Sequence, residues 1–146
     1  MIKKIKFYFI LTIIVFTFNN VFASQSNYFS KGKSLFDSKN FEKSKFFFEK
    51  DIVFNPKNAN SYLYLAKIFN IKDEKYEEEK NLETLLMLEP SNEEGMVMLM
   101  HLKLEDSNFS KAKLLLKQFK EICVNLCSEE KLISDKLKSI SETESK

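Results

Sequence analysis

Both prolines of the 146-residue chain fall in matched short runs, Phe54-Asn55-Pro56-Lys57-Asn58 and Leu88-Glu89-Pro90-Ser91-Asn92, and the second run begins 34 residues after the first. Each run has the same frame of apolar residue, polar residue, proline, polar residue and asparagine. A proline cannot continue a helix and disfavours a helical residue just before it, so each run marks a helix end. Asn58 and either Ser91 or Asn92 then stand where the next helix needs an N-cap oxygen, and Ser91 with Glu94 has the spacing of a capping box. Matched stop signals at this period are the mark of stacked helical hairpins. Only two glycines and two prolines punctuate the chain, which argues against a many-turned β fold and for long helices joined by tight turns.

Units of 34 residues starting at Gln25, Ala59 and Glu93 bring the apolar positions into columns. Tyr28, Tyr62 and Met96 align, as do Gly32, Ala66 and Met100 four residues later. Phe41 and Phe109 open the second helix, followed by Phe48, Leu82 and Leu116, and then by Phe54, Leu88 and Ile122 just before the column of Pro56, Pro90 and Val124. Small residues beside bulky ones let two helices approach closely. This pattern resembles the tetratricopeptide repeat, whose consensus has a large aromatic, a small residue four later, an aromatic opening the second helix, a small residue three beyond it, and a late proline.

The resemblance, over about Gln25 to Leu126, implies an all-α, right-handed solenoid of three hairpins at 25–58, 59–92 and 93–126; the residues themselves add a leader at 1–23, a capping helix at 127–140 and a polar tail at 141–146. The first unit fits well, although Ser44 replaces the usual alanine. The third has Phe109 and Ala112 in place, but Met100 where a small residue is expected. The second is irregular, because Tyr76 stands one residue late and Glu78 occupies the small-residue column. A carboxylate is costly there if buried unpaired, so either the turn near Asp73 slips by one residue or the hairpin splays. After the third unit, Ser128-Glu129-Glu130 starts an amphipathic helix with Leu132, Ile133, Leu137 and Ile140 on its apolar side, suited to cover the last repeat.

Met1 to Ala23 reads as a secretory signal: lysines, an apolar run from Phe7 to Phe18 broken only by Thr12 and Thr17, then Val21-Phe22-Ala23 as a cleavage site. Such a run is too short to cross a bilayer, which needs roughly 20 residues. The expectation is export to the periplasm or medium, with membrane association only if the signal stays uncleaved. All 23 basic residues are lysines, and loss of Lys3, Lys4 and Lys6 leaves 20 against 21 acids. A near-neutral chain of this kind has no electrostatic footprint for nucleic acid.

Catalytic constellations are missing. One histidine, His101, and two glycines provide neither a zinc-hydrolase motif nor a phosphate-cradling loop, and no serine has a paired base in its motif. No cofactor or small-molecule substrate is indicated, and the acidic run Glu77-Glu78-Glu79 reads as a solvated helix face. Cys123 and Cys127 are the only thiols. In an oxidising compartment they suit a disulfide if the helix end relaxes; the alternative is two buried small hydrophobes that stay reduced. Two ligands are too few for a metal site.

The resemblance further implies that the first helix of each hairpin lines a concave groove. Its inward columns would be Phe29, Leu63 and Val97, then Ser30, Tyr64 and Met98, then Lys33, Lys67 and His101. Such an apolar and aromatic strip with a mostly cationic flank suits a peptide with hydrophobic anchors and an acidic group. Leu63 and Val97 could instead be inter-helix core. The asparagine and arginine residues of the carboxylate clamp that grips chaperone C-termini do not appear in the matching columns, so that activity is not implied. The reading is a non-catalytic adaptor for a protein or peptide partner. The alternatives are a structural subunit of an envelope assembly, held through its convex face or capping helix, and an enzyme or enzyme accessory with an unrecognised site.

Overall fold

The computed structural model describes residues 26–144. The leader and its cleavage site lie outside the described residues. Among the described residues seven helices follow one another: α1 Ser26–Asp37, α2 Phe41–Phe54, α3 Ala59–Ile71, α4 Lys75–Leu88, α5 Glu93–Glu105, α6 Phe109–Ile122 and α7 Ser128–Glu144. Among the described residues there is no strand, and no helix is long and apolar enough to cross a membrane. Consecutive helices pack on one another, and α7 also touches α5. The chain is thus an all-α solenoid of three hairpins with a terminal helix.

Two kinds of turn recur with the period. Within hairpins, Lys39, Asp73 and Ser107 adopt left-handed backbone with φ of 60°, 56° and 56°. The amide of the next residue then donates back to a carbonyl of the preceding helix: Asn40 to Leu35 at 2.8 Å, Glu74 to Phe69 at 2.9 Å and Asn108 to Lys103 at 2.8 Å. These are helix C-terminal caps made without glycine, each at a cost of about 1 kcal/mol. Between hairpins, Asn58 N–H donates to the Asn55 carbonyl and Asn92 N–H to the Glu89 carbonyl. Pro56 and Pro90 thereby sit at the second position of β-turns, where their fixed φ belongs.

The regular turn settles the second hairpin. Asp73 keeps the register of Lys39 and Ser107, so the turn does not slip, and Lys75 rather than Tyr76 opens the second helix. Tyr76 is 76% exposed. Nor does the hairpin splay, since Leu82 and Leu85 are fully buried. Glu78 does enter the small-residue column, 2% exposed, and both its oxygens accept from Asn70 Nδ2 at 3.1 and 3.2 Å. Burial holds its carboxyl above the ordinary glutamate value, opposed by the Asn70 hydrogen bond. Ser44 solves the same column differently, its hydroxyl donating to the Gly32 carbonyl at 2.8 Å.

The helix starts also differ from expectation. Asn92, not Ser91, caps α5, its Oδ1 accepting from Gly95 N–H at 2.9 Å. Glu94 makes no capping box because its carboxylate faces Lys67 at 2.8 Å. Asn58 caps nothing with its side chain. Its Nδ2 donates instead to the buried Asp51 at 2.7 Å, which also accepts from Ser61 Oγ at 2.6 Å. Leu85 and Phe119 hold the Asp51 column in the other hairpins, so only the first junction has a buried carboxylate to satisfy.

The third junction has no proline. Cys123 and Cys127 are joined as a disulfide, with Cα atoms 5.3 Å apart. The Glu93 carboxylate, one repeat upstream, accepts from the backbone N–H groups of Val124 at 2.8 Å, Asn125 at 3.0 Å and Leu126 at 2.7 Å. These bonds hold its carboxyl below the ordinary value. Beyond the junction, α7 takes the place of a fourth first helix: Ile133 and Leu137 are buried at the positions of Leu99 and Lys103. It continues to Glu144 rather than ending at 140, since nothing after Ile140 breaks a helix.

Packing falls into two clusters that share α3. Phe48, Leu65, Ile68 and Phe69 form one, with Phe29, Phe36 and Tyr64 against it. Leu63, Ala66, Leu82, Leu99, Phe119 and Ile133 belong to the other. Leu65 and Ile68 therefore serve the first hairpin and Leu63 and Ala66 the last two. Gly32 permits a close approach of α1 and α2, because a Cβ there would lie 2.8 Å from the Phe48 ring.

Candidate functional site

Contacts of Phe29 with Tyr64, Lys67 with Glu94 and His101 with Glu129 link the first helices α1, α3, α5 and α7 in turn, which brings the three expected columns together. Tyr64 is the centre of its N-terminal half. Its ring stacks on Phe48 at 5.1 Å, with Phe29 and Phe36 edge-on at 5.8 and 5.1 Å. Aromatic pairs in these arrangements exceed their area burial by about 0.5–1.5 kcal/mol each, so the ring is fixed before anything binds. The ammonium groups of Lys67 and Lys33 lie 4.9 and 6.0 Å from its centroid.

The column of Lys33, Lys67 and His101 is paired along its length. Lys67 reaches Glu94 in the first turn of α5, and His101 Nε2 lies 3.5 Å from Glu129 in the first turn of α7. Lys33 would meet the first turn of α3, where the chain has Ala59, Asn60 and Ser61 and no acid. It turns instead to Asp37 at 2.9 Å on its own helix. That hydrogen bond, with Tyr64 nearby, holds the Lys33 ammonium above the ordinary lysine value. The flank is therefore a row in which both lysines and His101 each face a carboxylate, with Lys33 its most exposed member.

Leu63 is buried and floors a cleft of about 470 Å³ between the starts of α3 and α5, rimmed by Asn60, Glu89, Glu94 and Leu126. Val97 and Met98 are half-buried and pack against the larger core cluster. The 34-residue register, carried past 126, adds Leu132 to the column of Ser30, Tyr64 and Met98, and Leu132 is 47% exposed. It can be found in the sequence only by treating α7 as a first helix. Phe36, Glu94 and Glu129 carried no periodic signal. Among the described residues no cluster of three or more metal-ligating side chains is present.

On the other side, the second helices α4 and α6 border a cleft of about 570 Å³, with Leu86, Met87, Leu115 and Ile122 among its walls.

No family model matches the chain, and no curated protein sequence matches it. Solved structures do. The tetratricopeptide domain of Arabidopsis OM64 is 15% identical and superposes with a TM-score of 0.70, covering 80% of this chain and 95% of that one. The TPR2B domain of yeast Sti1 in complex with pHsp70 gives 14% identity and a TM-score of 0.68, over 82% and 97%. The Yersinia enterocolitica type III secretion chaperone SycD, in complex with a peptide of the translocator YopD, gives 14% and 0.70, over 86% and 99%. The fold is that of tetratricopeptide domains.

Proposed function

We propose that this chain is an exported, non-catalytic adaptor that holds a peptide or partner segment on its first-helix face, the concave face of the tetratricopeptide architecture. One observation carries the reading: Tyr64, Met98 and Leu132 hold the same repeat position on α3, α5 and α7, and none of them is fully buried. Three such positions suit an extended or helical segment with spaced hydrophobic anchors. The solved complexes of Sti1 and SycD, which hold an Hsp70-derived partner and a translocator peptide, support the same use of the fold. Because Lys67 and His101 already face carboxylates, apolar anchors supply the affinity and charge selects. The Lys33 end, with its exposed ammonium, takes the acidic group of the ligand.

A photo-crosslinker at position 64 in producing cells identifies the partner. The folded Tyr64→Ala/Lys67→Glu double variant should lose capture of that partner; undiminished capture rejects the groove. The cleft between α4 and α6 supports a second reading, a structural subunit held through the convex face. That reading predicts that Met87→Lys, and not the groove variant, breaks the association. Turnover of a substrate by the purified chain alone would overturn both.

A further inference from the structure

The first hairpin carries an exposed face that the groove does not use. Along α2, Lys43, Phe46, Lys50 and Val53 follow one another at three- or four-residue steps, so cations and apolar side chains alternate down one stripe, and Lys57 follows in the turn beyond the helix. Phe46 is 56% exposed and Val53 75% exposed. The stripe is continuous with a ring cluster in which Tyr28 stacks on Phe47 and Phe54 at 6.4 and 5.5 Å, and Phe46 meets Phe47 edge-on. Lys50 lies 4.5 Å from the Tyr28 centroid and Lys31 4.6 Å from that of Phe47. Among the described residues none of Lys43, Lys50 and Lys57 is engaged in an ion pair.

Charge sets this hairpin apart. Residues 26–58 hold seven lysines and four acids, one of them the buried Asp51, whereas residues 59–92 hold four lysines and seven acids. The near-neutral chain is therefore polarised, with its positive end also its aromatic end. The same end follows the N-terminal 25 residues, whose apolar run from Phe7 to Phe18 reads as an export signal, and the chain enters α1 two residues before Tyr28.

We propose that this alternating lysine and aromatic face of α2, with Tyr28 beside it, seats the protein on an anionic phospholipid surface. Aromatic rings settle at headgroup depth, and lysines bury their stems while their ammonium groups meet phosphate. Seated this way, the first-helix groove and the acidic second hairpin remain turned to the aqueous side. Attachment needs no uncleaved leader, although a retained leader would hold the same end at the same surface.

The chain contains no tryptophan, so Phe46→Trp in the full chain gives a single reporter within the face. Vesicles of phosphatidylcholine with a quarter phosphatidylglycerol should shift its emission to shorter wavelength, and phosphatidylcholine alone should not. Raising salt from about 0.1 to about 0.5 M should reverse the shift by screening the headgroup charge. Lys43→Glu/Lys50→Glu in the reporter background should weaken vesicle binding about tenfold or more, and Val53→Ser should weaken it less. Met87→Ser, an equally exposed site on the second hairpin, should bind as the parent does; circular dichroism confirms that each variant is folded. Vesicle binding through the leader alone leaves the reporter unshifted and overturns the proposal. So does a face that ignores vesicles and is covered by a protein partner.

Discussion

The Lys103 ammonium lies 2.5 Å from Oε1 of Glu79, tying the third hairpin to the second, and the lysine is only 5% exposed. Its position in the repeat is occupied by Phe69 before it and Leu137 after it, both buried. A charge in an apolar column is tolerated because its partner is opposite it. Removing one member of such a pair leaves the other uncompensated. Glu79→Gln should therefore destabilise the fold by about 2 kcal/mol, less than for a wholly buried pair because Asp106 lies 3.9 Å away in reserve. Glu79→Gln/Lys103→Leu should return close to the parent in urea denaturation. A double variant no more stable than Glu79→Gln would show that the pair contributes specific packing.

Gly32→Ala tests the close approach of α1 and α2. Alanine gains about 1 kcal/mol of helix propensity over glycine, but its Cβ would lie within 3 Å of the buried Phe48 ring. Overpacking costs about 1–3 kcal/mol, so a net loss of about 1 kcal/mol is expected. Adding Phe48→Leu recreates the residue pair that the second hairpin uses at Ala66 and Leu82, and should recover part of the loss in thermal unfolding.

Two carboxylates give the stability profile opposite slopes. Folding raises the Glu78 value through burial, so its contribution is favourable below the unfolded value of about 4.3 and is lost as pH rises through the folded value. Glu78→Gln should gain about 1 kcal/mol at pH 7 and nothing at acid pH. Folding lowers the Glu93 value through its backbone N–H bonds, so that contribution is present above about 4.3 and is lost as pH falls through the folded value. Glu93→Gln should expose the amides of Val124 to Leu126 to faster hydrogen exchange at pH 7, and the difference from the parent should close on acidification.

The bond between Cys123 and Cys127 predicts that alkylation of unreduced, unfolded protein labels neither thiol, whereas prior reduction exposes both. The loop it closes is short, and its loss should cost about 2 kcal/mol, concentrated at the α6–α7 junction. Complete labelling without reductant would remove the bridge.

The period was legible because it is written in backbone: the prolines, the turn spacing and the alternation of small and bulky columns fix where each helix starts and stops. Partner choice was not. Whether Glu78 is buried depends on Asn70 eight residues away, and Ser91 and Asn92 differ only in which side chain reaches Gly95. The groove columns were visible as positions, yet the pairing of Lys67 with Glu94 and His101 with Glu129 depends on how neighbouring repeats sit, which no single repeat encodes. Glu93 reads as an ordinary first-turn acid until the chain returns 31 residues later to place Val124 N–H against it.

The division of the core at α3 sets the order in which the molecule comes apart. The first hairpin is held by its aromatic cluster and the hydrogen bonds of Asp51 to Asn58 and Ser61, while the remaining helices share an aliphatic core, a buried ion pair and the tied junction at Cys123. Repeat arrays lose structure by cooperative blocks, so the first hairpin is the block that frays earliest. Tyr64 lies on the seam between the blocks. A segment bound across Phe29 and Tyr64 would act as a splint, and its occupancy would register as slower opening of a hairpin on which it makes only part of its contacts.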